Sequence, residues 1–484
     1  MSAKRVSVLE IIIWITLFLF ALLALSPYVI GHKAKTDYTN LIDHLSQISQ
    51  LDLQVSKYNQ GFFSSQATVT LSLPQYSESV LFSEEIVHGP VYLGLISQGK
   101  SPFVAAVING ELDMQATHLK RFKNIFSGSS PVLYQHLIGF NGDVDSQVYM
   151  PAIKAILKEE SESVHVESSG AIYKQFILST DNSVKGEMIV PSLKIKKDRL
   201  DVAFKESVIS FSANKGDNQL MIGDSVFSVG VLNVDNAEEQ FALRKLIVHS
   251  ITSEEGELIS SGAQISAREI LASNQKFGPV AFNLSLNGLN ANSLLQMGKM
   301  KTAFDDQLAQ GIPEEKINSL VMSQMLSIIP DLIKQAEIHI NPLSINSELG
   351  RLEADMQFKL NGADIIASTD PLLLFNAIVF DLNMSIDEAL IRKSIAWHLE
   401  NMPAESGSYK AASMGSASDH KLMSKKIDEN LKSLLDVNWL VKDEGVYSSK
   451  ISMRQGELLI NETSVDALQE IMTLVSADLG VIAQ

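Results

Sequence analysis

Apolar residues run almost unbroken from Val6 to Ile30, interrupted by Glu10 and a few small or aromatic polar residues, and no charge falls between Ile11 and Leu25. About 20 such residues cross the hydrocarbon of a bilayer as a helix. The run has no polar face to meet water, which disfavours a buried helix of a soluble fold. Lys4 and Arg5 precede it, and basic flanks stay in the cytoplasm. The expectation is therefore a cytoplasmic tail at 1–5, a transmembrane anchor at 6–30 and an exported remainder. A cleaved signal peptide is the competing reading, with Ala24 and Ser26 as the small residues of its site. Pro27 is a poor context for cleavage, and the run exceeds the usual signal core of about 7 to 15 residues.

Helical spacing returns in Tyr38 to Leu53, where Leu41, Ile42, Leu45, Ile48 and Leu51 recur on one side. The period then changes to two. In Gln66 to Leu73, Ala67, Val69, Leu71 and Leu73 alternate with polar neighbours, as in a strand with one buried face. The same alternation marks Val91, Leu93 and Leu95; Leu200, Val202 and Phe204; and Val280, Phe282, Leu284 and Leu286. Its cleanest form is Leu352 to Leu360, closed by Asn361-Gly362, and Ser449 to Ile460 reads as a hairpin about Gln455-Gly456.

Helices enter the later half. Asn292 can cap one carrying Leu294, Leu295, Met297 and Met300, and Pro313 suits the first turn of another that Pro330 should kink or end. Others are expected over Ile386 to Met402, His420 to Leu435 and Ser464 to Leu479. The fold class predicted is α+β: one N-terminal transmembrane helix, then a mostly antiparallel, curved β-sheet domain with helices packed in its C-terminal half. Pro403 to Ser418 and Asn124 to Pro131 read as linkers. His88-Gly-Pro-Val and Phe277-Gly-Pro-Val each read as introducing a strand and opening a related sheet unit, which suggests a β-rich half at 31–275 and an α+β half at 276–484.

Composition narrows the chemistry. The chain has no cysteine in 484 residues, which removes disulfides, thiolate nucleophiles and zinc-thiolate sites. A formal charge of -17 argues against nucleic acid as a partner and against broad adhesion to anionic headgroups. No HExxH, P-loop, dinucleotide fingerprint or Gly-x-Ser-x-Gly elbow is present. Gly223-Asp224-Ser225 with Asp419-His420 is the nearest approach to a serine hydrolase, and it lacks an oxyanion motif. The basic runs Lys194 to Arg199 and Lys421 to Lys426 read as solvated faces, and the methionines of the helical segments as core.

Several pieces in order carry a resemblance: the apolar N-terminal run, Tyr58-Asn-Gln-Gly-Phe-Phe-Ser-Ser-Gln-Ala67, His88-Gly89-Pro90, Asn341-Pro342-Leu343 and Gly456-Glu-Leu-Leu-Ile-Asn461. Together they resemble the YdgA-like family of bacterial envelope proteins across nearly the whole chain. Gln60 stands where that family usually has Arg, and Glu462 where a Gly often follows the Asn. The resemblance implies a protein of the Gram-negative inner membrane or periplasm, and it transfers no catalytic residue. A distant kinship with AsmA-like envelope proteins implies sheets that curl into apolar grooves for lipid, an analogy at the level of fold.

The motif residues Tyr58, Gly61, Ser65, His88, Gly89, Pro90, Gly456 and Asn461 have no assigned chemistry. Gly61 reads as a turn and His88 as a turn cap rather than a base. The function expected is a non-enzymatic periplasmic protein anchored in the inner membrane through 6–30, binding or scaffolding, with a sheet groove able to hold lipid. The alternatives are a protein-protein or homo-oligomeric scaffold of the envelope and, more remotely, a periplasmic serine hydrolase. Neither a metal nor a cofactor is expected.

Overall fold

Period-two alternation extends much further than its strongest instances, and it dominates the molecule. The computed structural model describes Pro27, Lys35, Tyr38, Thr39, Ile42 and residues 52–73, 78–114, 125–126, 130–159, 162–236, 240–272, 275–309, 313–360, 376–401 and 417–465. Strands hold 62% of the structure against 21% in helices, which makes it a mostly antiparallel β protein and corrects the expected α+β class. Among the described residues no helix is long and apolar enough to cross a membrane, so the transmembrane helix of that fold class is not seen. Apart from Pro27, the 6–30 segment lies outside the described residues. The strand content was hidden because many strands are half-exposed on both faces, so hydrophobic and polar residues mix instead of alternating strictly.

The chain divides into two compact units, 1–214 and 215–484. The first carries β1 (Asp52–Gln60), β2 (Ser64–Leu73), β3 (Glu78–His88), β4 (Ala106–Leu112), β5 (Leu133–Ile138), β6 (Val144–Met150), β7 (Ile153–Glu159), β8 (Glu162–Ser168), β9 (Ala171–Leu178), β10 (Ser183–Lys197) and β11 (Leu200–Lys215). Strands β1 to β6 pair in chain order; β6 then pairs with β9, β9 with β10 and β10 with β11, all antiparallel. The β7–β8 hairpin joins through β8 to the second half of β10. Tyr38 and Ile42 are helical and pack with Ala67, Val69, Ile86, Ala106 and Ile108 into the buried core of this unit. The helix expected as far as Leu53 gives way earlier, since Asp52 and Leu53 already pair in β1.

The second unit holds β12 (Met221–Asp235), β13 (Gln240–Glu255), β14 (Leu258–Ala267), β15 (Glu269–Ala272), β16 (Gln275–Asn290), helices α1 (Ala291–Ala309) and α2 (Glu314–Ile333), β17 (Glu337–Ser347), β18 (Gly350–Leu360), β19 (Ile378–Asp387), helices α3 (Glu388–Asn401) and α4 (Ala417–Asp436), β20 (Val441–Asp443), β21 (Val446–Arg454), β22 (Glu457–Ile460) and β23 (Thr463–Val465). It is again an antiparallel meander, in which β14 and β15 together fill one place between β13 and β16. Leu390 of α3 and Ile427 and Leu431 of α4 bury against Ile386, Leu440 and Tyr447.

Several local expectations change. Val91, Leu93 and Leu95 form no strand: Leu93–Gln98 is a short 3-10 helix that buries Leu95 completely and leaves Leu93 69% exposed. His88-Gly-Pro closes β3, whereas Phe277-Gly-Pro lies inside β16 at a register shift, so the two do not open equivalent strands. The α1 cap is Asn290, whose side-chain oxygen accepts from the Ser293 backbone N–H at 3.0 Å, and the helix starts before Asn292. Helix α2 continues through Pro330 to Ile333. Met322 is 62% exposed instead of core. Asn361-Gly362, half of Asn124–Pro131 and most of Pro403–Ser418 and Ser464–Leu479 lie outside the described residues.

Candidate functional site

The two N-terminal motifs meet at one end of the first sheet. Register puts the start of β2 beside the end of β3, with Ser64 opposite Val87 and Ser65 opposite Ile86. His88 is 3% exposed and Ser65 1%, and the Ser65 hydroxyl lies 2.9 Å from His88 Nε2. His88 Nδ1 lies 3.2 Å from the Phe62 carbonyl, and the His88 backbone N–H donates to Phe63 O at 2.8 Å. A carbonyl only accepts, so the network assigns the proton to Nδ1 and leaves Nε2 to accept from Ser65. Gly61 and Gly89 complete the corner by close approach: a Cβ on either would fall within 2.3 Å of Ser64 O or 2.0 Å of Val104 O. Pro90 O accepts from Val104 N–H at 3.2 Å. The corner is thus a sealed polar latch with no access for a substrate.

Further along the same face, Tyr58, Ala67, Glu84, Gly110 and Tyr134 stand opposite one another in successive strands. Glu84 is 8% exposed. Both the Tyr38 and the Tyr134 hydroxyls donate to its carboxylate. Burial raises the Glu84 pKa above the usual carboxylate range, and the two hydroxyl bonds oppose that shift. Burial likewise raises both phenols, with the Glu84 charge adding to it. Tyr134 can lie over the sheet because a Cβ at Gly110 would meet its ring at 2.1 Å. The Tyr58 hydroxyl is buried in the same row without a hydrogen-bond partner among the described residues.

Next to that row, His136 Nδ1 lies 2.8 Å from the Ser146 hydroxyl, and burial lowers the His136 pKa to about 4. A folded pKa below the unfolded 6.5 gives stability that is present above pH 6.5 and lost as pH falls toward 4. The loss is up to roughly 3 kcal/mol at 1.36 kcal/mol per pKa unit. His136→Gln keeps a partner for Ser146 but cannot titrate. Urea denaturation at pH 7.5 and pH 4.5 should show the wild type losing more stability on acidification than this variant; equal losses would refute the assignment.

From Tyr134 the row continues through Val148, Tyr173, Met188 and Ile209. Here the face stays apolar but opens: Val148, Tyr173 and Met188 are half-buried and Ile209 is 40% exposed. Among the described residues, then, the inner face of the unit is covered over β1–β5 and only partly covered over β6–β11. The opposite face is polar over β1–β4, where Lys57, Asn59, Gln66, Glu85, Asn109 and Glu111 border an open recess of about 650 Å³, and further on it carries the exposed Tyr149 and Ile172.

The C-terminal motif is structural. Gln455 and Gly456 have φ of 51° and 80° and form the two-residue turn between β21 and β22. Asn461 accepts from the Lys450 backbone N–H at 2.8 Å and donates to Asn438 O at 2.6 Å, tying the hairpin to the segment after α4. Glu462, at φ 66°, occupies the second left-handed position of the β22–β23 turn, where a side chain is strained. Glu462→Gly should stabilise the second unit by about 1 kcal/mol. A thermal midpoint at or below the wild-type value would count against this.

The sequence brought forward Ser65 and His88 but not their pairing, and it missed Glu84, Tyr38, Tyr134 and His136. A signal existed: Phe82, Glu84, Ile86 and His88 alternate on one face, so Glu84 occupies a core position. Gly223-Asp224-Ser225 lies within β12 in unbroken register with Thr252, Ile251 and Ser250, which gives no strand-to-helix elbow. Among the described residues no group of His, Asp and Glu could hold a metal ion. No curated protein and no solved structure matches the chain. The family model for bacterial proteins of unknown function (DUF945) matches residues 8–467, and the chain belongs to that family.

Proposed function

We propose that this chain is a non-enzymatic envelope protein that engages a bilayer through residues 6–30 and binds an apolar ligand, lipid foremost, on the open inner face of its first sheet. The observation that carries the reading is the row Tyr134, Val148, Tyr173, Met188 and Ile209, where a core face continues as an apolar floor that the described residues cover only in part. An apolar face left bare on a sheet is costly unless something covers it. The sequence supports the location: Lys4 and Arg5 before the apolar run favour residues 1–5 in the cytoplasm and the sheets on the periplasmic side of the inner membrane. The resemblance to YdgA-like proteins, and the more distant one to AsmA-like proteins, point the same way. Native mass spectrometry of gently extracted protein should find a lipid adduct that Met188→Asp with Ile209→Asp abolishes. A protein that carries no adduct, or the same adduct in that variant, overturns the reading.

A second reading, a scaffold of protein copies or partners, draws on β7. Among the described residues it pairs only with β8, and it leaves Ile156 59% exposed beside that bare edge. A crosslinker at Ile156 should then give a defined protein adduct in cells, independent of lipid.

A further inference from the structure

We propose that the loop rim at one end of the first sheet inserts into the interfacial layer of a lipid bilayer. This rests on the reading above, that residues 6–30 engage a membrane, and deepens it by naming the surface that faces the lipid.

The turn between β1 and β2, the connection between β3 and β4 and the turn between β5 and β6 all leave the sheet at one end. Register requires it: Gln60 lies opposite Ser65, His88 opposite Ala106, Ala106 opposite Ile138 and Ile138 opposite Val144. The tips carry Phe63 at 64% exposure, Leu93 at 69%, Phe103 at 65% and Phe140 at 61%. Large apolar side chains gathered on loop tips mark an interaction surface rather than scattered surface residues. From Gly89 to Ile108 the only charged residue is Lys100, and its ammonium is 2.8 Å from the Asp145 carboxylate. The remaining rim charges are Asp143 in the β5–β6 turn and Asp181 in the β9–β10 turn, so the rim is weakly acidic and offers anionic headgroups no cation to pair with.

The chain itself identifies the occupant. Lys35 Nζ sits 5.8 Å from the centre of the Tyr58 ring, and Tyr58 is two residues from the end of β1 at this rim. The apolar run ends at Ile30, five residues before Lys35. Five residues span at most about 17 Å, so a bilayer that receives residues 6–30 is within reach of the rim. A protein of charge -17 gains little from anionic headgroups, so the contact must be apolar insertion, insensitive to salt.

The chain lacks cysteine, so one introduced thiol carries a polarity-sensitive fluorophore without background. Full-length Phe63→Cys, Leu93→Cys, Phe103→Cys and Phe140→Cys are labelled and reconstituted into phosphatidylcholine vesicles with brominated acyl chains. Met150→Cys is the control, 40% exposed at the other end of β6. The rim labels should shift to the blue and lose intensity to the brominated lipid, at low and high salt alike, while the Met150 label does neither. Protein that floats with the vesicles but whose rim labels match the Met150 label overturns the rim alone. Rim labels hidden from aqueous iodide yet not quenched by lipid mean that protein covers the rim, which also overturns it. Protein that does not float overturns both this inference and the membrane reading beneath it.

Discussion

Replacing His88 with alanine is expected to destabilise the first unit by roughly 3–5 kcal/mol, the largest effect of any single substitution considered for it. The imidazole is 3% exposed and bridges the Ser65 hydroxyl to the Phe62 carbonyl, so its removal opens a cavity and strips the buried Ser65 hydroxyl of its partner. The opposite truncation, Ser65→Ala, removes one small hydroxyl and leaves only Nε2 unpaired, which should cost about 1–2 kcal/mol. The double variant should cost less than the sum, because the Ser65 bond is lost only once. Urea unfolding followed by a probe in the first unit measures all three. A His88→Ala variant within 1 kcal/mol of wild type would mean that the corner is not a latch. The same experiment bears on chemistry: a Ser–His pair in this tautomer has the form of a nucleophile and its base, but Ser65 is 1% exposed and meets no solvent.

What could be read from the sequence followed the strength of its pattern. β2 and the β21–β22 hairpin were visible because each has one buried face and a regular turn, so apolar residues fall on alternate positions. β5 to β10 were not, since residues such as Ile172 and Phe176 are exposed on one face while Tyr173 and Ile177 are half-buried on the other. Val91, Leu93 and Leu95 misled for a different reason. Their two-residue spacing imitates a strand, but in the 3-10 turn after Tyr92 the same spacing sends Leu93 to solvent and Leu95 to the core. The motif residues Ser65 and His88 could be singled out by residue type, yet their partnership depends on a hairpin register that spans 23 residues. Glu84 was not singled out, although its neighbours Phe82 and Ile86 at plus and minus two are the mark of an inward position.

The tyrosines around Glu84 should separate into two that stabilise and one that does not. Tyr38→Phe and Tyr134→Phe each remove a hydroxyl that donates to a buried carboxylate, and each should cost about 1.5–3 kcal/mol at neutral pH. Tyr58→Phe removes a buried hydroxyl that has no partner among the described residues, so it should be neutral or gain about 1 kcal/mol. Glu84 supplies the pH signature. Its pKa is raised on folding, so the folded state holds the proton more tightly than the unfolded chain does, whose value is near 4.5. The stability is then fully present below pH 4.5 and declines as pH rises through the folded pKa. Glu84→Gln can still accept from one tyrosine and has no charge to desolvate, so the gap between it and wild type should move in its favour with rising pH above 4.5. Each phenylalanine variant at 38 or 134 should steepen the wild-type decline, since the lost bond favoured the ionised form. Denaturation midpoints from pH 4 to 9 in wild type, Glu84→Gln and the three phenylalanine variants test this directly. If the gap between Glu84→Gln and wild type stays constant across that range, Glu84 does not carry a raised pKa.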